Sequence, residues 1–257
     1  ATDGRTLLLT DPVDRAPLLE GHRVREYLHL VDARDGPAVP AGEDAPPPAP
    51  RLEPGDDARE AWRAVARRAD LVGDRDVPRR VGLVPGSRAP ARRWPAERWA
   101  ELAGRLSERG WALPVFGGPG EAGRTARVAA AAPRATDLGG RTDLPALVGG
   151  LASCDAVVAN DTGPMHVAAA LDRPLVVIWG SGDPRQTRPL SPRSRLVGRF
   201  DLPCTPCLEA RCPRSGAGYV TDRGRRECLR LVTADRVEMA VDELLAAAGG
   251  EREERDA

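Results

Sequence analysis

From Val81 onward the chain alternates short, nearly uninterrupted apolar runs with amphipathic segments, and this alternation most limits the folds open to it. The apolar runs are 81–84, 112–116, 156–159 and 175–178. Four or five consecutive apolar residues suit a strand covered on both faces, whereas a strand with one wet face alternates. Helical spacing recurs in 94–109, in 120–132, in 144–153, in 163–171 and in 233–248. In 94–109 the inward positions are Trp99, Leu102, Ala103 and Leu106; in 233–248 they are Val237, Ala240, Val241, Leu244 and Leu245. Buried strands separated by helices predict an α/β fold with a parallel sheet between helical layers. Ligands of such sheets bind beyond the carboxyl ends of the strands, often at a helix N-terminus.

Residues 1–80 read differently. Leu7-Leu8-Leu9 is a short apolar run, and His22–Asp32 carries Val24, Tyr27, Leu28 and Val31 on one helical face. The stretch 37–55, with Pro46-Pro47-Pro48, reads as an extended linker. Helical spacing resumes over 56–72, with Trp62, Val65, Ala66 and Ala69 together. The boundaries expected are a partial domain with its linker over 1–78, a complete domain over 79–250, and a charged, frayed tail over 251–257. The first residue is Ala1 rather than Met, which reads as an internal start within a longer product or as a trimmed chain.

Charge excludes some functions. The 257 residues carry 38 basic and 38 acidic side chains, so the basic excess of a general nucleic-acid binder is missing. Every basic residue is Arg, which excludes a Lys Schiff base and a Walker A phosphate loop. No apolar run approaches the roughly 18 residues of a membrane span.

Three expected strand ends are chemically distinctive. After 81–84 comes Pro85-Gly86-Ser87-Arg88, then Arg92-Arg93-Trp94-Pro95. Gly86 permits close backbone approach, and Ser87, Arg88 and Arg92 offer donors suited to phosphate oxygens. A solvated Arg-rich loop is the plainer reading of the same residues. After 112–116 comes Gly117-Gly118-Pro119-Gly120-Glu121, where Glu121 can accept ribose hydroxyls or simply sit at the positive end of a helix. After 156–159 comes Asn160-Asp161-Thr162-Gly163-Pro164-Met165-His166. Thr162 or Gly163 suits the cap and Pro164 the first turn, so the helix start can face a diphosphate with His166 beside it. An ordinary capped helix explains any one of these residues but not the set.

Cys204, Cys207, Cys212 and Cys228 follow the pattern C-x2-C-x4-C-x15-C, which suits structural zinc or an iron–sulfur cluster. Free thiols and disulfides remain alternatives. Cys154 reads as a small buried apolar residue, and Asp74-Arg75-Asp76 as a solvated connector rather than a metal-binding D-x-D.

The segments P-G-S, R-R-W-P, F-G-G-P-G-E, D-L-G-G-R-T-D-L, N-D-T-G-P-M-H-V-A-A-A-L-D-R-P and W-G-S-G-D-P-R-Q-T resemble, over about residues 80–245, the C-terminal domain of family 9 glycosyltransferases. These are the ADP-heptose:lipopolysaccharide heptosyltransferases, and the likeness is to the heptosyltransferase II group. The resemblance implies a GT-B fold: two Rossmann-like domains, with the nucleotide sugar on the C-terminal one. It implies inverting transfer of heptose from ADP-heptose to the lipopolysaccharide inner core. The setting it implies is cytoplasmic, with peripheral inner-membrane contact, no nucleic acid and no cofactor for catalysis.

By that resemblance Ser87, Arg88 and Arg92 meet the diphosphate, and Glu121 meets the ribose beside Gly117 and Gly118. Asp161, Thr162, Gly163, Pro164, Met165 and His166 line the diphosphate or the sugar. Arg92 and His166 are the expected stabilisers of the leaving group. The family's heptosyltransferase II members carry a similar cysteine segment. Two departures stand out: Arg92 occupies the Lys position of the family's K-R-W-P, and the family's first strand and Gly-rich loop, with the proposed acidic base, are missing. The expected alternatives are a relative using another nucleotide sugar, or an inactive donor-binding fragment with a four-cysteine metal site.

Overall fold

A computed structural model describes residues 22–24, 48–71, 79–213 and 227–256, with side chains as far as Gly249. The chain divides into two compact units. The smaller takes residues 1–48 together with Asp183–Arg188, and the larger takes the rest.

In the larger unit, the order of elements is α1 (Asp56–Arg68), β1 (Val81–Val84), α2 (Ala96–Glu108), β2 (Leu113–Gly117), α3 (Ala122–Ala129), β3 (Ala135–Gly139), α4 (Leu144–Ala152), β4 (Ala156–Asn160), α5 (Gly163–Ala170) and β5 (Leu175–Trp179). The short α6 (Pro184–Thr187) belongs to the smaller unit, and β6 (Ser194–Gly198), α7 (Glu227–Arg230) and α8 (Ala234–Asp256) complete the larger. All six strands are parallel and lie in the order β3-β2-β1-β4-β5-β6. The chain therefore winds outward from β1 in one direction and from β4 in the other, and the order reverses between them. This is the doubly wound α/β architecture that the apolar runs predict.

Alternation along each strand separates two cores. Val81, Leu83, Val158, Val176 and Ile178 join Trp99, Leu102 and Leu106 of α2 and Val237 and Val241 of α8. Val84, Val157, Ala159, Val177 and Trp179 join Trp62 of α1, Leu151 of α4 and Met165 of α5 on the opposite face. The inward stripes expected for α2 and α8 are buried, Leu244 only in part.

The sequence reading differs from the structure in four places. Strands β3 and β6 escaped it, because their polar edge positions interrupt the apolar run: β3 is Ala-Thr-Asp-Leu-Gly, with only Leu138 buried. The expected 120–132 helix is a 3-10 turn over Pro119–Glu121 followed by the shorter α3. The expected tail over 251–257 is helical backbone through Asp256, continuous with α8. Most consequential, α1 lies before the expected boundary at 78/79, yet it packs on α4 of the larger unit, and the division falls after Pro48. Small residues make this contact possible: a Cβ on Gly149 would collide with the Ala58 carbonyl, and one on Gly150 would crowd Phe116 and Trp62. The Leu7–Leu9 run, most of the 22–32 helix and Asp74–Asp76 lie outside the described residues.

Gly149→Leu is expected to cost about 1–3 kcal/mol by overpacking this helix contact. Urea unfolding checks the loss, and limited proteolysis should show earlier cleavage within 49–71.

Candidate active site

The ends of β2, β1 and β4 are neighbours in the sheet, so the three distinctive turns meet at one edge, beside the reversal of strand order. That is where doubly wound sheets hold ligands.

The turn after β1 is anchored at both ends. Asn160, the last residue of β4 and fully buried, donates from Nδ2 to the carbonyls of Pro85 (2.7 Å) and Gly86 (3.1 Å). Its Oδ1 accepts the backbone N–H of Trp94 at 3.1 Å. Ser87 is buried, and its hydroxyl donates to the Asp161 carbonyl at 3.0 Å, so its proton is committed inside the protein. Arg93 donates from Nε to the Ser87 carbonyl at 2.7 Å. Trp94 is held from the far side by Nε1 on the Val232 carbonyl and by an edge-to-face contact with Trp99. Within this frame Arg88 is exposed, and Arg92 lies in the 3-10 turn Pro90–Arg92.

Arg92 Nη1 stands 3.2 Å from Asp161 Oδ2. The Asp161 side chain is only 4% exposed and the Arg92 side chain 32%. Oδ2 receives no well-directed hydrogen bond, so the contact is an ion pair alone. Burial raises the Asp161 carboxyl above the ordinary range, and the Arg92 guanidinium pulls it partly back.

The turn after β2 reaches toward the first. Glu121 Oε2 accepts the Gly118 N–H at 3.0 Å, and the same carboxylate lies against Gly86, where any Cβ would overlap it. Glycine at position 86 is thus a condition for the carboxylate to stand between the two turns. Gly117 is half-buried, and Gly118 is exposed.

At α5, Thr162 is the N-cap residue with extended backbone, but its hydroxyl makes no capping hydrogen bond; Pro164 occupies the first turn. Gly163 and His166 are exposed. Met165, expected among the ligand-lining residues, has its side chain in the core beneath α5. Ser181, in the turn after β5, is buried with its hydroxyl unpartnered, and the sequence reading did not single it out. Asn160 was named at the head of its turn but given no role, although a carboxamide closing an otherwise all-apolar strand was the available signal.

The cysteines form a separate group. Cys204, Cys207 and Cys212 are half-buried on the segment after β6, and Cys228 lies in α7. The Cys228 thiol is pushed up to about 11, by burial first and then by the charges of Cys212, Cys204 and Cys207, so the four share one neighbourhood. Their donor chemistry suits zinc or an iron–sulfur cluster, but among the described residues no set of three or more His, Cys, Asp or Glu side chains converges as metal ligands. The segment instead braces the site: Leu208 N–H donates to the Ser181 carbonyl at 2.9 Å, and Ala91 N–H to the Ala210 carbonyl at 3.0 Å. Cys154 is apart from the group, buried, and pushed up to about 12 by burial. Among the described residues no helix is long and apolar enough to cross a membrane.

The sheet order and its reversal point define the class as a doubly wound α/β domain, and comparison makes the assignment specific. Residues 8–217 match the model of glycosyltransferase family 9 (heptosyltransferase), so the chain belongs to that family. It is 34% identical to lipooligosaccharide heptosyltransferase 2 of Haemophilus influenzae, covering 68% of this chain and 51% of that protein. With lipopolysaccharide heptosyltransferase 2 of Salmonella typhimurium the identity is 42%, over 46% of this chain and 35% of the relative. Among solved structures, E. coli ADP-heptose lps heptosyltransferase II matches with a TM-score of 0.65 and 28% identity, over 86% of this chain and 61% of that one. The fold is thus of the GT-B type. The chain spans about a third to a half of the length of the two sequence relatives.

Arg92→Ala is expected to lower stability at neutral pH by about 1–3 kcal/mol, because it leaves a buried carboxylate unpaired. The folded pKa of Asp161 is raised, so the penalty on its ionised form holds above that value and is gone below the ordinary carboxylate range. Urea unfolding of both proteins should therefore show the deficit shrinking between about pH 7 and about pH 4. A constant deficit would show that Arg92 does not act through Asp161.

Proposed function

We propose that this chain supplies the nucleotide-sugar-binding part of an inverting heptosyltransferase that moves heptose from ADP-heptose to the lipopolysaccharide inner core. The observation that carries the reading is the meeting of the β1, β2 and β4 turns, with the Arg92–Asp161 pair at their centre, in a chain of family 9. The likeness to proteins named heptosyltransferase 2 supports heptose as the sugar.

In this reading residues 49–250, α1 included, go with the donor side, and residues 1–48 with the acceptor side. Arg88 and Arg92 face the diphosphate, and Glu121 accepts the ribose hydroxyls beside Gly117 and Gly118. Asp161, Thr162, Gly163 and Pro164 border the diphosphate and sugar, with Ser87 and Met165 acting from beneath through the backbone they hold. As the anomeric carbon–oxygen bond breaks, negative charge gathers on the departing ADP. Arg92, the α5 N-terminus and His166 stabilise that charge, since donors fixed where charge develops favour the transition state over the substrate. The acceptor's proton goes to a base elsewhere in the enzyme. The reaction takes place at the cytoplasmic face of the inner membrane, with peripheral contact only.

Calorimetric titration with ADP, UDP and GDP tests the donor reading. ADP should bind in preference to the other two, and Arg92→Ala and His166→Ala should each weaken it by about tenfold or more. If ADP does not bind, or both variants match the parent, the site is misassigned. ADP binding without transfer by the full-length gene product supplied with ADP-heptose would favour another sugar.

The transfer step uses no metal in this reading. The four cysteines have the donor chemistry of a structural ion site, although among the described residues they do not converge as ligands. Elemental analysis of anaerobically purified protein should find about one zinc, or the iron of one cluster, per chain if they hold one; a value near zero would exclude it.

A further inference from the structure

We propose that Asn160 is a positioning residue for the donor site, acting through Arg92. The proposal rests on the donor reading above. Asn160 closes β4, whose other four residues are Ala and Val, and it is fully buried. A buried carboxamide is costly unless it is hydrogen-bonded, and this one is committed at each atom. Trp94 N–H is a donor, so Oδ1 must face it; the Pro85 and Gly86 carbonyls are acceptors, so Nδ2 must face them. The amide orientation is therefore determined by its partners.

These bonds draw together the two ends of one turn. Pro85 and Gly86 open it, Trp94 closes it, and Arg88 and Arg92 project from between. The next residue, Asp161, pairs with the Arg92 guanidinium and accepts the Ser87 hydroxyl on its carbonyl. Two adjacent residues thus set Arg92: one places its backbone, the other its charged head. The register explains the arrangement. Val84 is paired with Ala159, so the strands bring Pro85 and Asn160 abreast as the ladder ends.

A double-mutant cycle on ADP affinity tests this. Asn160→Ala and the isosteric Asn160→Asp, which keeps an acceptor for Trp94 but loses the paired donors, are each combined with Arg92→Ala. Thermal melts first establish which variants are folded. In the parent background either Asn160 variant should weaken ADP binding by about tenfold; in the Arg92→Ala background the further loss should be under about twofold. Equal losses in both backgrounds would make Asn160 a purely structural residue and overturn the proposal, as would failure of both variants to fold. If the parent itself does not bind ADP, the donor reading fails first, and this proposal with it.

Discussion

The pairing of β1 with β4 is the contact on which the rest depends. These strands lie at the centre of the sheet, and the chain winds away from them in opposite directions. Their ladder runs from Val81 opposite Ala156 to Val84 opposite Ala159. A slip of one residue would send Val157 and Ala159 into the wrong core, because side chains alternate between the faces. It would also remove Asn160 from the start of the β1 turn. The hydrophobic register and the polar turns are thus one constraint: apolar side chains decide how the strands align, and alignment decides which polar groups meet at their ends.

Beyond the ladder, electrostatics at the site is a matter of exposure. The Arg92–Asp161 contact lies where one partner is buried and the other is partly exposed, and the burial raises the carboxyl. The surface network of Arg105 and Arg109 with Glu238 and Asp242 makes a contrast. Arg109 also stacks on Trp111 at 3.9 Å. Those exposed pairs tie α2 to α8 and are worth little individually, yet they hold the helix that begins two residues after Trp94.

Much of the fold was legible because burial on both faces writes itself as an apolar run. β1, β2, β4 and β5 were found that way, whereas β3 and β6 at the edges were not, since an edge strand is free to carry Thr136, Asp137 or Arg195. At the site, residue types pointed to three turns that the sheet places side by side, but not to what each side chain contacts. Ser87 looked like a phosphate donor and gives its proton to a carbonyl; Met165 looked like lining and is core. Asn160 was named without a task because its partners, Pro85, Gly86 and Trp94, lie some 70 residues away in sequence. Spacing cannot report such distances, whereas the family's motifs can mark the region without saying why each residue is there.

The docking of α1 on α4 bears on how a gene of this kind can be cut. Trp62, Val65 and Ala66 cover Phe116, Leu138 and Leu151 on one flank of the sheet. A fragment begun at residue 79, where the strand pattern starts, would leave that flank bare to water. Exposed apolar patches of that kind invite self-association. The helix before the first strand therefore belongs to the same compact unit as the sheet it covers, and its loss would be felt as exposed core rather than as a shortened linker.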